Sequence, residues 1–252
     1  MEEHYNKVHY NFGQKILIIS KVLKIFLIIE QKCVHWHPKE SGQKILRKNR
    51  VNKKFIYLIS PNRIKDNLFY YNLEQVLKTK KVSHFQLRLK KQKRKKKISI
   101  GKKIKKICEK YSVKFLVNDD PVLAKKLNSD GCHLGQKDMD ILKARKILKN
   151  KIIGITCHNS KNLIRQAIND NANYIAIGAF FPSKTKKVKF KANINLLNYA
   201  KNITNIPIVA IGGIKFSNYK KLLLNKANFL AISGYIWNNK KYKPLDAIKK
   251  LK

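Results

Sequence analysis

Acidic residues are scarce in this chain of 252 residues, which has 14 Asp and Glu against 57 Lys and Arg and a net charge of +43. An excess of this size often indicates a nucleic acid or another polyanion as partner. Here the lysines are spread through almost every predicted helix and loop, together with abundant Ile and Asn, and AT-rich coding sequence favours all three. We therefore attribute most of the charge to composition and expect no specific nucleic-acid partner. The dense runs 90–97 and 102–106 are solvated surface or, alternatively, polyanion contacts.

Cysteine is also rare, with only Cys33, Cys108, Cys132 and Cys157 and no pair in CxxC spacing. None of the four lies at a zinc-like interval from a histidine. The spacing therefore excludes the common zinc motifs and predicts free thiols in a reducing cytoplasm.

The apolar segment 16–29 is too short to span a bilayer, which takes ~20 apolar residues. Lys21 and Lys24 interrupt it, and no small-residue cleavage site follows that would mark a secretory signal. We interpret it as an amphipathic or buried helix and predict no membrane partner.

Residues 1–54 stand apart from the pattern that follows, and we predict a separate N-terminal extension that is helical or poorly ordered. The triplet His35-Trp36-His37 within it could bind a transition metal weakly, but two incidental histidines beside an aromatic residue are the favoured interpretation. We expect the activity of the chain to survive removal of residues 1 to about 50.

From Phe55 to the C-terminus, short apolar runs alternate regularly with helical patterns. The predicted strands cover 55–60, 83–87, 113–117, 131–134, 152–155, 174–177, 206–211 and 229–232. The predicted helices cover 72–80, 98–111, a segment opened by Pro121, 140–149, a segment capped by Asn159 or Ser160 and ending at 169, 194–202, a segment capped by Ser217 and ending near 224, and 244–251.

Eight strand–helix units predict a (β/α)₈ barrel over residues 55–252. The runs 55–59 and 208–211 are apolar on successive residues, as strands buried on both faces are. A doubly wound open sheet is the competing architecture, but no glycine-rich fingerprint follows the first strand.

Most of the unusual polar residues of this region follow a predicted strand directly. In a (β/α)₈ barrel the carboxyl ends of the strands meet at one mouth, which holds the active site. Gln86, Arg88 and Lys90 lie two residues apart and so share one face of an extended segment. Arginine and lysine together suit a group with several negative charges, such as pyrophosphate.

Carboxylates end the next two predicted strands. Asn118 and Asp119 follow one of them, and Asp138 follows the other. Two carboxylates with substrate oxygens are typical ligands of Mg²⁺, and a general acid–base pair is the alternative. The basic residues nearby favour the metal.

Small and hydroxyl-bearing residues follow the last three strands. Gly212-Gly213 and Ser233-Gly234 come after the seventh and eighth, where barrels of this type often bind phosphate, although a tight turn also explains a glycine pair. Ser183-Lys184-Thr185-Lys186 lies on the longest loop at the mouth, where its hydroxyl and ammonium groups could hold a second anionic substrate.

Seven strings in this region resemble, in order, the motifs of the thiamine-phosphate synthase family: FQLRLK, VNDD, DGCHLGQKD, GITCHN, YIAIGAFFPSKTK, VAIGGI and LAIS. The resemblance extends from about Phe55 to the C-terminus. It implies a (β/α)₈ barrel that joins 4-amino-2-methyl-5-hydroxymethylpyrimidine diphosphate to thiazole phosphate or its carboxylate, giving thiamine phosphate and pyrophosphate. It implies these small-molecule substrates as partners, Mg²⁺ as cofactor, and a cytoplasmic enzyme; a homo-oligomer is compatible with it.

The same resemblance assigns site residues. The pyrimidine diphosphate would be held by Gln86, Leu87, Arg88, Leu89, Lys90, Asn118, Thr156 and Lys186, with Arg88 and Lys186 catalytic. Asp119 and Asp138 would bind Mg²⁺. The thiazole substrate would contact Ser183, Lys184 and Thr185, and its phosphate would contact Gly213, Ile232 and Ser233. Thr156 replaces a usual serine and Ser183 a usual threonine, and both keep the hydroxyl. Asp120 is a larger departure, which puts the local charge balance in doubt.

Two alternative functions remain open. A thiazole tautomerase on the same barrel would share the thiazole phosphate site and a histidine like His158, but such relatives typically lack the pyrophosphate and metal residues. A basic nucleic-acid-binding protein would explain the charge and leave the polar strand ends unexplained. Cys157 could be proposed as a nucleophile, but we favour a packing role for it; His158 could shuttle protons or simply begin a helix.

Overall fold

The protein is described by a computed structural model for residues 54–183 and 189–252. In these ranges eight parallel strands alternate with helices and pair in chain order, and the eighth strand closes onto the first. The predicted (β/α)₈ barrel is confirmed. The predictions for segment 16–29, Cys33 and His35–His37 lie outside the described residues.

The strands are short, as the apolar runs predict. Strands β1 to β8 cover Ile56–Ile59, Val82–Leu87, Lys114–Asn118, Gly131–Leu134, Ile152–His158, Tyr174–Gly178, Ile208–Ile211 and Phe229–Ile232. Helices α1 to α9 cover Leu68–Lys78, Arg94–Lys110, Pro121–Lys126, Ile141–Leu148, Lys161–Asn169, Ile194–Ile203, Tyr219–Leu224, Gly234–Trp237 and Pro244–Lys250.

The strands are apolar on both faces because the barrel has two hydrophobic layers. In β1, Ile56 and Leu58 pack outward into the large core between the strands and the helices. Tyr57 and Ile59 point inward, into a smaller cluster that fills the barrel. The period of two along a strand therefore sends alternate side chains to two buried environments.

Helix ends follow local capping chemistry. Ser160 caps α5, as predicted, by accepting from the Leu163 amide at 3.3 Å. Asp120 caps α3 in the same way at 2.8 Å, and Pro121 takes the first turn, where a missing N–H has no cost. The predicted Ser217 cap is wrong, because Asn218 precedes α7 and its side chain instead accepts from the Lys215 amide.

The basic run before residue 98 is also helical, whereas the sequence pattern predicted a loop. Helix α2 begins at Arg94, so Lys95, Lys96 and Lys97 form its first turn. Lysine and arginine are good helix formers, and an exposed first turn needs no apolar residue to form. The four-residue helix α8 was not predicted, since it is too short to show a period. In the described part of the chain, no helix has the length and apolarity needed to cross a membrane.

Candidate active site

Strand β2 sends its residues alternately into the core and toward the barrel mouth. The Leu87 and Leu89 side chains are 3% and 4% exposed and pack in the outer core, so a substrate could reach only their backbone. Gln86, Arg88 and Lys90 alternate with them and are increasingly exposed as the chain passes the end of β2 at Leu87. The predicted sharing of one face is therefore confirmed, and it puts the positive charges at the mouth.

Two residues after β1 position Arg88. The Arg88 amide donates to Ser60 Oγ at 2.8 Å, and its guanidinium donates to Asn62 Oδ1. Burial lowers the pKa of the guanidinium from its ordinary value, and the negative charge of Asp119 offsets part of this. Sequence analysis did not select Asn62; its position two residues after the first predicted strand was the available signal.

The ends of β2, β3 and β4 bring one basic and two acidic side chains together. Lys90 Nζ lies 2.9 Å from Asp119 Oδ2, and the Asp119 and Asp138 carboxyl groups are near enough to shift each other's pKa. Asp119 has a left-handed backbone (φ 65°), and its amide donates to the His133 carbonyl at 2.8 Å. Asp138 is held by the Gly135 amide, 2.7 Å from Oδ2. The backbone therefore turns both carboxylates toward Lys90.

The two carboxyl groups have opposite pKa shifts. Burial raises the pKa of Asp119, but the hydrogen bonds from Lys90 and Asp138 outweigh it, so the net direction is downward. Burial and the contact with Asp119 raise the pKa of Asp138 above its ordinary value. Adjacent carboxylates resist double ionisation, and a further cation beside them would relieve that repulsion.

This donor set fits Mg²⁺ only together with ligands from a substrate. No group of three or more His, Cys, Asp or Glu side chains that could hold a metal occurs in residues 54–183 and 189–252. Asp119 and Asp138 provide two hard oxygen donors, and Mg²⁺ commonly binds one or two carboxylates with phosphate oxygens and water completing its shell. The pair thus fits the ion when a diphosphate is bound.

Asp120, the departure from the family pattern, has a structural role. Besides capping α3, its carboxylate forms an ion pair with Arg94 at 3.0 Å. Its charge is therefore balanced by a residue of α2 and not by the Lys90 cluster.

The inside of the barrel holds polar side chains that sequence reasoning missed. His133 is 7% exposed; its Nδ1 lies 2.8 Å from Tyr174 Oη and its Nε2 lies 2.9 Å from Thr156 Oγ1. Tyr174 Oη lies 2.8 Å from Tyr57 Oη, to which Gln86 Nε2 donates at 3.2 Å. Burial lowers the pKa of His133 to about 4. The available signal was two tyrosines and a histidine within runs that otherwise read as wholly apolar.

The glycine pair after β7 is required by close packing. A side chain on Gly213 (φ 59°) would overlap the carbonyl oxygens of Phe181 and Pro182. Phe181 N in turn donates to Gly212 O at 3.2 Å. The pair therefore fixes the loop after β6, and α7 begins only at Tyr219, so the expected helix N–H groups do not follow Gly213 directly.

The loop after β8 agrees better with the predicted phosphate site. Ser233 immediately precedes the short helix α8, and its hydroxyl donates to the Ser60 carbonyl at 3.4 Å. The Ile232 side chain is buried, so only its backbone faces the mouth. Ser183 is half-buried at the end of the described part of its loop; Lys184, Thr185 and Lys186 lie outside the described residues.

Cys157 and His158 end β5 with different surroundings. Cys157 is fully buried, and burial raises the pKa of its thiol to about 12, so it is a packing residue and a poor nucleophile. The centroids of the His158 and Phe190 rings lie 4.4 Å apart. The three described cysteines are all buried free thiols.

Comparison with known proteins gives consistent results. The profile of the family described as thiamine monophosphate synthase matches residues 56–236. A thiamine-phosphate synthase of Pelagibacter ubique is 70% identical over 207 residues, which are 82% of this chain and 100% of that protein. A thiamine-phosphate synthase of Hyphomonas neptunium is 38% identical over 190 residues, covering 73% of this chain and 86% of the relative.

Solved structures give the same result. A thiamine phosphate pyrophosphorylase from Pyrococcus furiosus superposes with a TM-score of 0.69 at 26% identity, covering 79% of this chain and 94% of its own. A 3-hexulose-6-phosphate synthase superposes with a TM-score of 0.54 at 16% identity, and this likeness concerns the fold alone.

Proposed function

The chain belongs to the thiamine monophosphate synthase family, and we propose that the residues at its barrel mouth carry out that reaction with Mg²⁺. The activity is that of a thiamine-phosphate synthase, which joins the pyrimidine diphosphate to thiazole phosphate or its carboxylate and releases pyrophosphate. The observation that carries our assignment of the site is the contact of Lys90, Asp119 and Asp138 beside Arg88.

Arg88 and Lys90 hold the diphosphate in this proposal, together with Asn118 and Lys186. The structural support for this role is strongest for Arg88, because Ser60 and Asn62 orient it before any ligand binds. A preoriented guanidinium stabilises charge that develops on a leaving group without reorganisation during the reaction. We propose Arg88 as a catalytic residue on this ground, and Lys186 as a second one on the resemblance to the family alone.

Asp119 and Asp138 would hold Mg²⁺, which would neutralise part of the charge of the departing pyrophosphate. The opposed pKa shifts of the pair and its contact with Lys90 support a site built for cations. Lys90 pairs with Asp119 and lowers the pKa of that carboxyl group, which keeps it ionised.

The reaction needs no nucleophile from the protein. The bond between the pyrimidine methylene and the diphosphate oxygen breaks, the amino-substituted ring delocalises positive charge, and the thiazole nitrogen bonds to the methylene carbon. Gln86 and Thr156 would orient the ring, while Ser183, Lys184 and Thr185 would hold the thiazole. Gly213, Ile232 and Ser233 would bind its phosphate, a role that the junction of Ser233 with α8 supports. The buried free thiols support a cytoplasmic location.

A coupling assay tests the proposal. The purified chain is mixed with pyrimidine diphosphate, thiazole phosphate and Mg²⁺, and thiamine phosphate is followed by fluorescence after oxidation, with EDTA as control. Product that requires Mg²⁺ is expected. If folded protein makes no product but converts the thiazole carboxylate tautomer alone, the tautomerase alternative replaces the proposal.

A further inference from the structure

Five polar side chains cross the inside of the barrel in one continuous series of hydrogen bonds. We call this series the interior relay; in order, its members are Gln86, Tyr57, Tyr174, His133 and Thr156. They come from five different strands, and the three in the middle are at most 7% exposed. Side chains inside small barrels are normally apolar, and a buried polar network is tolerated only when its members satisfy one another.

The barrel makes room for this series. A side chain on Gly154 in β5 would overlap the ring of Tyr174, so only glycine lets that ring lie against the strand. Tyr57 and Tyr174 lie with ring centroids 5.7 Å apart, and Tyr174 stacks on His133 at the same distance. The rings are thus packed in place, which fixes the positions of their hydroxyl groups.

The Gln86 amide gives the series its direction, because each hydroxyl and the imidazole can act as donor or acceptor. Gln86 Nε2 donates to Tyr57 Oη, which leaves the Tyr57 proton for Tyr174 Oη. The Tyr174 proton then goes to His133 Nδ1, so the imidazole proton is on Nε2 and is donated to Thr156 Oγ1.

Because of this direction, one end of the relay can donate a hydrogen bond to a ligand and the other end can accept one. The Thr156 hydroxyl already accepts from His133 and keeps its own proton to donate. Gln86 is 2% exposed, and its Oε1 accepts from no described residue, so this oxygen keeps its capacity to accept from a ligand. The mouth therefore offers an acceptor from β2 and a donor from β5.

An aminopyrimidine has the complementary pattern, with an amino group that donates and ring nitrogens that accept. We propose that Tyr57, Tyr174 and His133 are positioning residues that set which end of the relay accepts and which donates, and so select the amino-substituted pyrimidine and its orientation. This inference rests on the proposed function, because it concerns the ring of the same substrate.

The test removes one hydroxyl from the middle of the relay. Tyr174→Phe should raise the KM for pyrimidine diphosphate about tenfold, the effect of one net hydrogen bond, and leave the KM for thiazole phosphate unchanged. Tyr57→Phe should act in the same way and serves if the first variant does not fold. Tyr219→Phe is the control, since Tyr219 is also a buried residue but lies in the outer core, where its hydroxyl donates to the Lys252 carbonyl.

A spectroscopic measurement separates this role from mere packing. Nitrogen NMR of ¹⁵N-histidine should show the His133 proton on Nε2 in the wild type and in Tyr219→Phe, and a mixture of tautomers in Tyr174→Phe. Thr156→Val, which removes the hydroxyl at the end of the relay, should also raise the KM for pyrimidine diphosphate. Equal changes in both KM values, or a wild-type proton on Nδ1, would overturn the relay. Absence of product from the wild type would instead refute the proposed function, while the NMR result still decides the direction of the relay.

A second, independent observation concerns the surface of α2. Residues 90–110 contain twelve basic residues and one acidic residue, so a twelfth of the chain carries a quarter of the net charge of +43. We call Lys95, Lys96, Lys102 and Lys106 the basic face; all four are exposed, and none forms an ion pair with a described carboxylate. Lys95, Lys102 and Lys106 are seven and four residues apart, which aligns them over ~16 Å of helix.

We infer that the basic face binds the phosphate backbone of nucleic acid without sequence preference. A row of unpaired lysines matches a row of phosphates, and none of the exposed large hydrophobic side chains of the described residues belongs to α2. A helix that inserts into a membrane surface needs such side chains. Charge complementarity therefore favours a soluble polyanion over a bilayer.

Fluorescence anisotropy with labelled oligouridine at 50 to 200 mM salt tests this surface. Changing the four lysines of the basic face to Gln should weaken binding at least about tenfold and lower the salt slope by about 0.7 for each lysine that contacts a phosphate. The control changes Lys125, Lys126, Lys220 and Lys221 to Gln, the same loss of charge elsewhere, and should retain binding. Coupling activity should be equal in both. Equal loss of affinity in the two variants, or binding to phosphatidylserine vesicles without binding to RNA, would overturn the inference.

Discussion

Lys90 and Asp119 form an ion pair at 2.9 Å although one follows β2 and the other follows β3. The Asp119 side chain is 28% exposed and that of Lys90 is 52% exposed, so the pair lies at the mouth where solvent and substrate can reach it. The cation keeps the carboxylate ionised, and the carboxylate holds the cation beside Arg88. This contact links the proposed anion-binding and the proposed metal-binding parts of the site.

The adjacent residues Asp119 and Asp120 should respond very differently to loss of charge. Asp119→Asn removes a proposed Mg²⁺ ligand, and we expect the coupling rate to fall about a hundredfold or more, as for loss of a major charge-stabilising group. Asp120→Asn should stay within about threefold of wild type, because asparagine also caps helices well. Magnesium titrations of the coupling rate measure both. Similar losses of rate in the two variants would show that Asp119 is not a ligand of Mg²⁺.

Loss of Lys90 should change the pH dependence of the reaction. Lys90 lowers the pKa of Asp119, so in Lys90→Gln that carboxyl should bind its proton at higher pH. The acid limb of the plot of coupling rate against pH should therefore move to higher pH. The KM for pyrimidine diphosphate should also rise about tenfold with the loss of a charged contact. Lys91→Gln, the exposed neighbour, is the control. An acid limb that does not move would show that Asp119 is not the group titrating there.

Gly213→Ala should damage the thiazole phosphate side of the site. The new methyl group would overlap backbone oxygens of the loop after β6, and alanine is strained at a φ of 59°. We expect a loss of about 1–3 kcal/mol in the free energy of unfolding, together with a higher KM for thiazole phosphate. Thermal unfolding and steady-state kinetics measure these two effects. An unchanged KM for thiazole phosphate would place its phosphate away from this loop.

Cys157 should be dispensable for chemistry. Its pKa is raised to about 12, so the thiol is protonated and buried at neutral pH. Cys157→Ala should keep the coupling rate within about twofold, with a modest loss of stability from the smaller side chain. Treatment of the folded wild type with iodoacetamide, followed by mass spectrometry, should leave Cys157 unmodified. Inactivation that tracks alkylation of Cys157 would contradict this view.

Removal of residues 1–50 should leave the coupling activity intact. The family profile begins at residue 56, and every residue with a proposed role in the site lies at Tyr57 or beyond. We expect kcat and both KM values within about twofold of the full chain, since nothing in the described site is deleted. The two proteins are compared after the same purification. A truncated chain that is inactive or insoluble beside an active full chain would show that the extension supports the barrel.

The sequence by itself determined the architecture and the identity of the mouth residues. The alternation of apolar runs and helical patterns is a local property, and in a closed parallel barrel the carboxyl end of every strand reaches the same mouth. Residues such as Arg88, Asp119 and Asp138 could therefore be selected before their neighbours were known. The start of α2 was misplaced because lysines in an exposed helix turn have no apolar period to reveal them.

Only the tertiary structure decided which of these side chains meet. Tyr57 and Tyr174 are 117 residues apart and share a hydrogen bond because closure of the barrel brings β1 and β6 across one interior. Asn62 orients Arg88, and Asp120 pairs with Arg94 and not with Lys90, because turns and helix starts fix directions that spacing along the chain does not encode. Local sequence sets the period of each element. The register between strands decides which side chains contact one another, and that register depends on packing of the whole core.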